Sequence, residues 1–381
     1  MLAEAALGTL SDRLGRLHER VEQRRSATAL RERLAQGCWV YGAGGYGLLA
    51  IRVLRDAGVD VRGVIDRRAN DPAFAAGQPV PAVAPDSLTP AMAAGATLVV
   101  GVHNFAADLR PIHAWGAAHG FADVVVPAEL PDLLGPALGS YWLTGRGHTA
   151  RHLDELDRLA PLLADDASRA VLDGIAAFRI SADLADHPPS HLPSQYFPPD
   201  VPLTRAPLRL VDGGAFTGDA WPALTASGRT LGEWYAFEPD PVNFRALVAT
   251  AREAPMARTA LFPCGLGERA EQIRFASGEA AGSHAAENGD TVIQIVALDE
   301  VLPGISPNYV KLDIEGAERA ALSGMRETLA RARPAIAISI YHRPEDLWEL
   351  PLLIHDRLPD HRLFIRQHGY NGFDTVLYAV P

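Results

Sequence analysis

Two hydrophobic periods take turns along this chain. Over residues 1–36, Leu10, Leu14, Leu17 and Val21 recur at heptad-like spacing, and Arg13, Arg16, Glu19 and Arg20 fill the other faces, which predicts helix. Short apolar runs then alternate with helical stretches. Cys38–Tyr41, Val61–Ile65, Ala96–Val100 and Asp123–Val126 read as strands, separated by helices carrying Leu48, Leu49, Ile51, Val53 and Leu54 and covering Leu109–His119. Residues 131–207 carry no strand signal. Two amphipathic helices, Asp154–Leu163 and Ala167–Phe178, lead there into the proline-rich run His187–Pro199, in which Tyr196 and Phe197 either pack over the ligand cleft of the domain that follows or anchor the linker to it.

The strand–helix alternation resumes at Leu208. Leu208–Val211, Trp234–Phe237, Leu261–Cys264, Tyr309–Leu312 and Ala335–Ile340 predict core strands. Gln272–Phe275 and Val292–Val296 predict two more around Gly282-Ser283-His284, and Leu363–Ile365 and Thr375–Tyr378 an antiparallel pair joined through Tyr370-Asn371-Gly372. The fold class is α/β, with two doubly wound sheets. The expected division is 1–36 N-terminal helices, 37–135 a smaller Rossmann-like accessory domain, 136–207 a helical and proline-rich linker and lid, and 208–381 the larger Rossmann-like domain. The first helices pack on their own domain or pair two copies into a homodimer.

Two places join a strand to a helix through glycine. In the larger domain the strand ends at Asp212 and runs into Gly213-Gly214-Ala215-Phe216-Thr217-Gly218, and the next strand ends in Glu238-Pro239. Strand, glycine turn, helix, strand and acid form a nucleotide-binding unit, with Glu238 placed at a ribose diol. In the smaller domain Gly42-Ala-Gly44-Gly-Tyr-Gly47 follows a strand and Asp66 ends the next one, a dinucleotide fingerprint in its proper context. Gly42, Gly44, Gly47 and Asp66 are therefore a second, tentative nucleotide site, and His103-Asn104 lies where its polar contacts would fall. The layout of this smaller domain resembles accessory domains of sugar-modifying and capsule-type enzymes, which implies a nucleotide or nucleotide-sugar ligand. The alternative is a crevice whose glycines serve packing alone.

Charge and cysteine content narrow the classes. With 35 Lys and Arg against 46 Asp and Glu, the net charge of −11 disfavours a nucleic-acid partner. The 2 cysteines, Cys38 and Cys264, sit beside apolar strand residues and suit a reducing compartment. Neither a signal peptide nor a membrane-length apolar run is recognisable, so the expectation is a soluble, cytoplasmic protein with no membrane span.

Val211–Asp219, Ala236–Phe244, Cys264–Gly267 and Lys311-Leu-Asp313-Ile-Glu315-Gly-Ala-Glu318 together resemble the FkbM-family methyltransferases over roughly residues 190–381, with the motifs in the family's order. The resemblance implies a class I Rossmann-like fold, S-adenosylmethionine as cofactor and an O-methyl product on a sugar or polyketide hydroxyl. In such a fold Gly213, Gly214, Ala215, Phe216 and Gly218 lie under the methionyl part and Asp212 near its ammonium group. Glu238 and Pro239 meet the ribose, and Cys264 and Gly265 edge the adenine. Cys264 departs from the family's usual small apolar or Asn-Ala residues. Asp313 ends a core strand facing the ligand crevice, and Asp313, His342 and His284 are the candidates to orient or deprotonate a hydroxyl acceptor. No metal is assigned, although Asp313, Glu315 and His342 together have the donor types of a cation site. Two further readings stand beside methyl transfer: a nicotinamide-dependent oxidoreductase and a nucleotide-sensing binding module, both using the Gly42–Gly47 turn.

Overall fold

A computed structural model of the protein describes residues 9–139, 141–254, 258–276, 284–285 and 291–381, and the side chains of 275–276 and 284–285 stand outside that description. The chain forms two compact units. The first comprises Met1–Ala160, Ala170–Pro188 and Gly369–Phe373, the second Pro161–Arg169, Pro189–His368 and Asp374–Pro381. Residues 136–207 are thus shared out between them.

The first unit is built on five parallel strands: β1 (Cys38–Tyr41), β2 (Val61–Ile65), β3 (Ala82–Val83), β4 (Thr97–Val100) and β5 (Asp123–Val125). Their order is β3-β2-β1-β4-β5, so the winding reverses between β1 and β4. Val40, Val64 and Val99 from the sheet pack with Ile51 and Leu54 from the helix Gly45–Asp56 and with Leu30 and Leu34 from the helix Ala27–Leu34. The helix Leu10–Arg25 opens with a capping box of Thr9 and Asp12 and buries Leu14 completely. The centre of its heptad face therefore serves a core inside its own unit.

The second unit holds β6 (Leu208–Gly213), β7 (Leu231–Phe237), β8 (Arg258–Phe262), β9 (Gly265–Leu266), β10 (Glu271–Ala276), β11 (His284–Ala285), β12 (Thr291–Val296), β13 (Tyr309–Leu312), β14 (Ala335–Ser339), β15 (Arg362–Gln367) and β16 (Thr375–Val380). Seven of them form one sheet in the order β15-β16-β14-β13-β6-β7-β8. Its pairings are parallel except those of β16, which runs antiparallel to both neighbours. β9, β10, β11 and β12 make a smaller sheet. Every residue of β13 and β14 is buried, as expected of central strands covered on both faces. Tyr196 and Phe197, from the proline-rich stretch, join Leu210, Trp234 and Tyr309 in this core. The winding reverses between β6 and β13, which opens a crevice at their carboxyl ends.

Candidate active site

That crevice begins where β6 stops. Gly214 has φ +70°, and a Cβ there would overlap the carbonyl oxygen of Asp313. Only glycine fits, because the turn packs directly on the end of β13. The space a side chain would need is taken by the protein's own backbone. The Gly214 and Ala215 amides both donate to the Phe237 carbonyl at 3.0 Å, tying the turn to the end of β7. Gly218, φ +90°, turns the chain into the helix Ala220–Ala226.

Glu238 follows β7 and is 6% exposed. Its Oε2 accepts from the Phe216 amide at 2.8 Å and its Oε1 from the Asp240 amide at 2.9 Å. Each carboxylate oxygen keeps a lone pair, so a diol can still be accepted. Burial pushes the Glu238 carboxyl above its usual range, against the pull of the two amides. Asp240 in turn caps the helix Pro241–Glu253 through Val242 and Asn243. Pro239 flanks Gly265, beside Cys264, whose thiol burial pushes up to about 11 and keeps protonated.

Asp212, expected near a ligand's ammonium group, has partners within the protein. It is fully buried, with Oδ1 3.1 Å from Lys311 Nζ and Oδ2 accepting from Trp234 Nε1 at 3.1 Å. Lys311 also donates to the Gly214 carbonyl at 2.5 Å. Burial opposes the Lys311 charge, but Asp212 and the neighbouring carboxylates outweigh it and raise its pKa. The pair holds the turn from behind, and its charges meet each other first.

In front of the turn, Asp313, Glu315, Glu318 and His342 converge. His342 Nε2 lies 3.2 Å from Asp313 Oδ1 and 3.8 Å from Glu315 Oε2, and Nδ1 lies 2.7 Å from Glu318 Oε1. Burial disfavours the imidazolium, yet Glu318 and Glu315 raise the His342 pKa well above its ordinary value. Burial likewise works against the Asp313 carboxylate, but His342, Lys311 and the Tyr196 hydroxyl hold it well below the usual range. Tyr196 donates to Asp313 Oδ2, and Gln195 Nε2 donates to the Tyr196 hydroxyl at 3.1 Å. Glu315 sits at φ +55°, a strained conformation that non-glycine residues adopt chiefly where function requires it. Beyond Tyr196, the buried Asp374 bonds Tyr341 and Gln195, and burial followed by the Asp313 charge pushes its carboxyl up to about 7. His284 lies in β11, and its side chain is outside the described residues.

The glycine turn of the first unit has the expected shape with a different acid. Gly42 has φ +99°, a Cβ on Gly47 would overlap the Gly42 carbonyl, and Gly44 has open space around it. Asp66 accepts from the Ala43 amide through Oδ2 at 2.9 Å and from the Arg68 amide and Nε through Oδ1 at 2.9 and 3.0 Å. The Arg68 contacts and the two backbone bonds lower its pKa to about 2 despite burial. His103, lowered to about 3 by burial, packs among the rings of Tyr46, Trp142 and Phe373.

Residues 212–371 match the family model of the methyltransferase FkbM domain. The C-terminal part of the chain is an FkbM methyltransferase domain. A crystal structure of methyltransferase FkbM from Methylobacillus flagellatus KT superposes with a TM-score of 0.79 at 21% identity, covering 97% of this chain and 99% of that one. At that identity the likeness carries the fold. No curated relative matches the chain in sequence. Within residues 212–371 the sequence reading singles out Asp313, Glu238 and His342 and misses Lys311 as a polar member of the site; beyond that span it places Tyr196 at the cleft without its bond to Asp313 and misses Asp374. Lys311 had a signal: a lysine inside an otherwise apolar strand demands a buried acid. Among the described residues no helix is long and apolar enough to cross a membrane.

Proposed function

We propose that this methyltransferase takes its methyl group from S-adenosylmethionine and delivers it to a hydroxyl of a sugar, polyketide or related small molecule. The observation that carries the reading is Glu238. It is buried at the end of β7, held by the Phe216 and Asp240 amides, and still able to accept two hydroxyl hydrogens. Methyl transfer is an in-line displacement in which aligning the acceptor oxygen with the sulfonium is most of the work. Asp313, ionised and fixed by Tyr196 and His342, orients that hydroxyl, and His342 positions Asp313. Carboxylates face both ring nitrogens of His342, which stands with Asp313 and His284 among the candidates to orient or deprotonate the acceptor.

Calorimetric titration with S-adenosylmethionine, NAD and a nucleotide-sugar tests the reading. Binding of S-adenosylmethionine that Glu238→Ala weakens roughly 30- to 150-fold is the expected result. Binding of NAD or the nucleotide-sugar alone would replace it. Asp313→Asn should lower turnover about 10²–10⁴-fold while cofactor affinity stays within a few fold. An equal loss of cofactor affinity would move Asp313 into the cofactor site.

A further inference from the structure

The cluster around His342 has an arrangement that orienting a hydroxyl does not require. We propose that Asp313, Glu315 and His342 bind one divalent transition-metal cation, with Glu318 fixing the histidine from behind. Two ligand atoms at about 2.1 Å from a shared ion, at octahedral to tetrahedral angles, lie about 3.0–3.4 Å apart. His342 Nε2 and Asp313 Oδ1 are 3.2 Å apart, and Glu315 Oε2 is 3.8 Å from the same nitrogen. Asp313, Glu318 and His342 also lie close enough together to surround an ion.

The second shell has the form that metal sites use. A ligating histidine presents its other ring nitrogen to a carboxylate, which sets the tautomer and the ring plane. Here His342 Nδ1 donates to Glu318 Oε1 at 2.7 Å, and the same oxygen accepts from the Ile314 amide at 2.9 Å. Glu318 is 1% exposed, and among the described residues its Oε2 has no hydrogen-bond partner. Buried carboxylate oxygens left in this state fit a site designed around a cation. One imidazole with carboxylates selects Mn²⁺, Fe²⁺ or Zn²⁺ over Mg²⁺ or Ca²⁺, which prefer oxygen alone. The ion takes the place of the proton on Nε2, which is released as it binds.

The use of the ion rests on the methyltransferase reading above. An ion beside the Gly214 turn would offer its open positions to the acceptor, which favours substrates presenting two adjacent oxygens, such as a vicinal diol, over isolated alcohols.

The test is metal uptake by the full-length protein. After EDTA treatment and removal of the chelator, Mn²⁺ is titrated and followed by electron paramagnetic resonance, with Zn²⁺ and Fe²⁺ uptake measured by elemental analysis. One equivalent of bound ion is expected, with affinity lowered at least tenfold in Asp313→Asn and in Glu315→Gln. Glu315 is partly exposed, so the second variant keeps the buried core intact. Failure of the wild type to bind any of the three ions, or unchanged uptake in both variants, overturns the proposal. S-adenosylmethionine affinity is measured on the same samples. Retained cofactor binding without metal uptake ends the metal proposal alone, and loss of cofactor binding with metal uptake ends the cofactor reading alone.

Discussion

The molecule carries two glycine turns of the same design, and their acids have opposite fates. Glu238 is followed by Pro239, which has no amide hydrogen, and by Asp240, whose amide bonds the Glu238 carboxylate while its own side chain caps a helix. Asp66 is followed by Arg67 and Arg68, and the Arg68 guanidinium and amide both close on it. One acid keeps accepting capacity toward a crevice, and the other has spent it inside the protein. The strand ends differ as well: β6 runs into the buried Asp212–Lys311 pair, whereas β1 ends at Tyr41. A glycine fingerprint thus reports a backbone shape, and the residue two places after the acid decides whether the acid is available.

The largest expected effect tests the buried Asp212–Lys311 pair behind the second unit's glycine turn. Lys311→Met leaves Asp212 fully buried without its cation and should cost about 3–5 kcal/mol, read as a denaturant midpoint shift. A shift below about 1 kcal/mol would mean that Asp212 takes up a proton easily and that the pair does not hold the turn.

Backbone packing separates the turns next. Gly214→Ala, forced against the Asp313 carbonyl at positive φ, should lose about 2–4 kcal/mol. Gly44→Ala, with open space and an extended φ, should stay within about 1 kcal/mol. Equal losses would erase the distinction.

The acids come third. Glu238→Ala should weaken S-adenosylmethionine binding by about 2–3 kcal/mol, roughly 30- to 150-fold. Asp66→Ala should leave it within about twofold, and a parallel loss would show that the first unit also contributes to cofactor binding.

The smallest effect is the share of His187, in the first unit, in the pH dependence of stability. His187 Nε2 accepts from the Gly372 amide at 2.9 Å and must be neutral to do so, and burial lowers its pKa to about 4. The unfolded chain binds the proton at its ordinary value near 6.5, so stability is intact above that pH and declines as pH falls toward 4. The decline between pH 7 and pH 6 should be somewhat under 1 kcal/mol. His187→Gln, which can still accept the amide, should flatten it. An unchanged slope would assign the dependence to another histidine.

The regular elements were legible because both periods are clean. β1, β2, β4, β6, β7, β13 and β14 follow apolar runs bounded by glycine or an acid, and the antiparallel end follows from the Tyr370-Asn371-Gly372 turn. Glu238 and Asp313 were legible because a strand's last residue points at the crevice in an open sheet. What escaped depends on contacts between distant positions. Nothing local shows that Lys311 reaches Asp212, that Tyr196 crosses to Asp313, or that Glu318, placed at the start of a helix, turns back to His342. Asp374 escaped because it ends a hairpin loop, where an acid reads as a surface turn residue.

Five residues near the end of the chain carry a consequence for inheritance. Gly369–Phe373 belong to the first unit, although the preceding and following strands belong to the second. Within the first unit Trp142 Nε1 donates to the Asn371 carbonyl at 2.8 Å, and the Asn371 amide donates to the carbonyls of Asn104 and Ala107 at 2.8 Å. A recombination event that exchanged only the leading portion of the gene would deliver a unit lacking these five residues, leaving the indole of Trp142 buried without its acceptor. An exchange of the leading portion therefore keeps these bonds only if residues 369–373 travel with it.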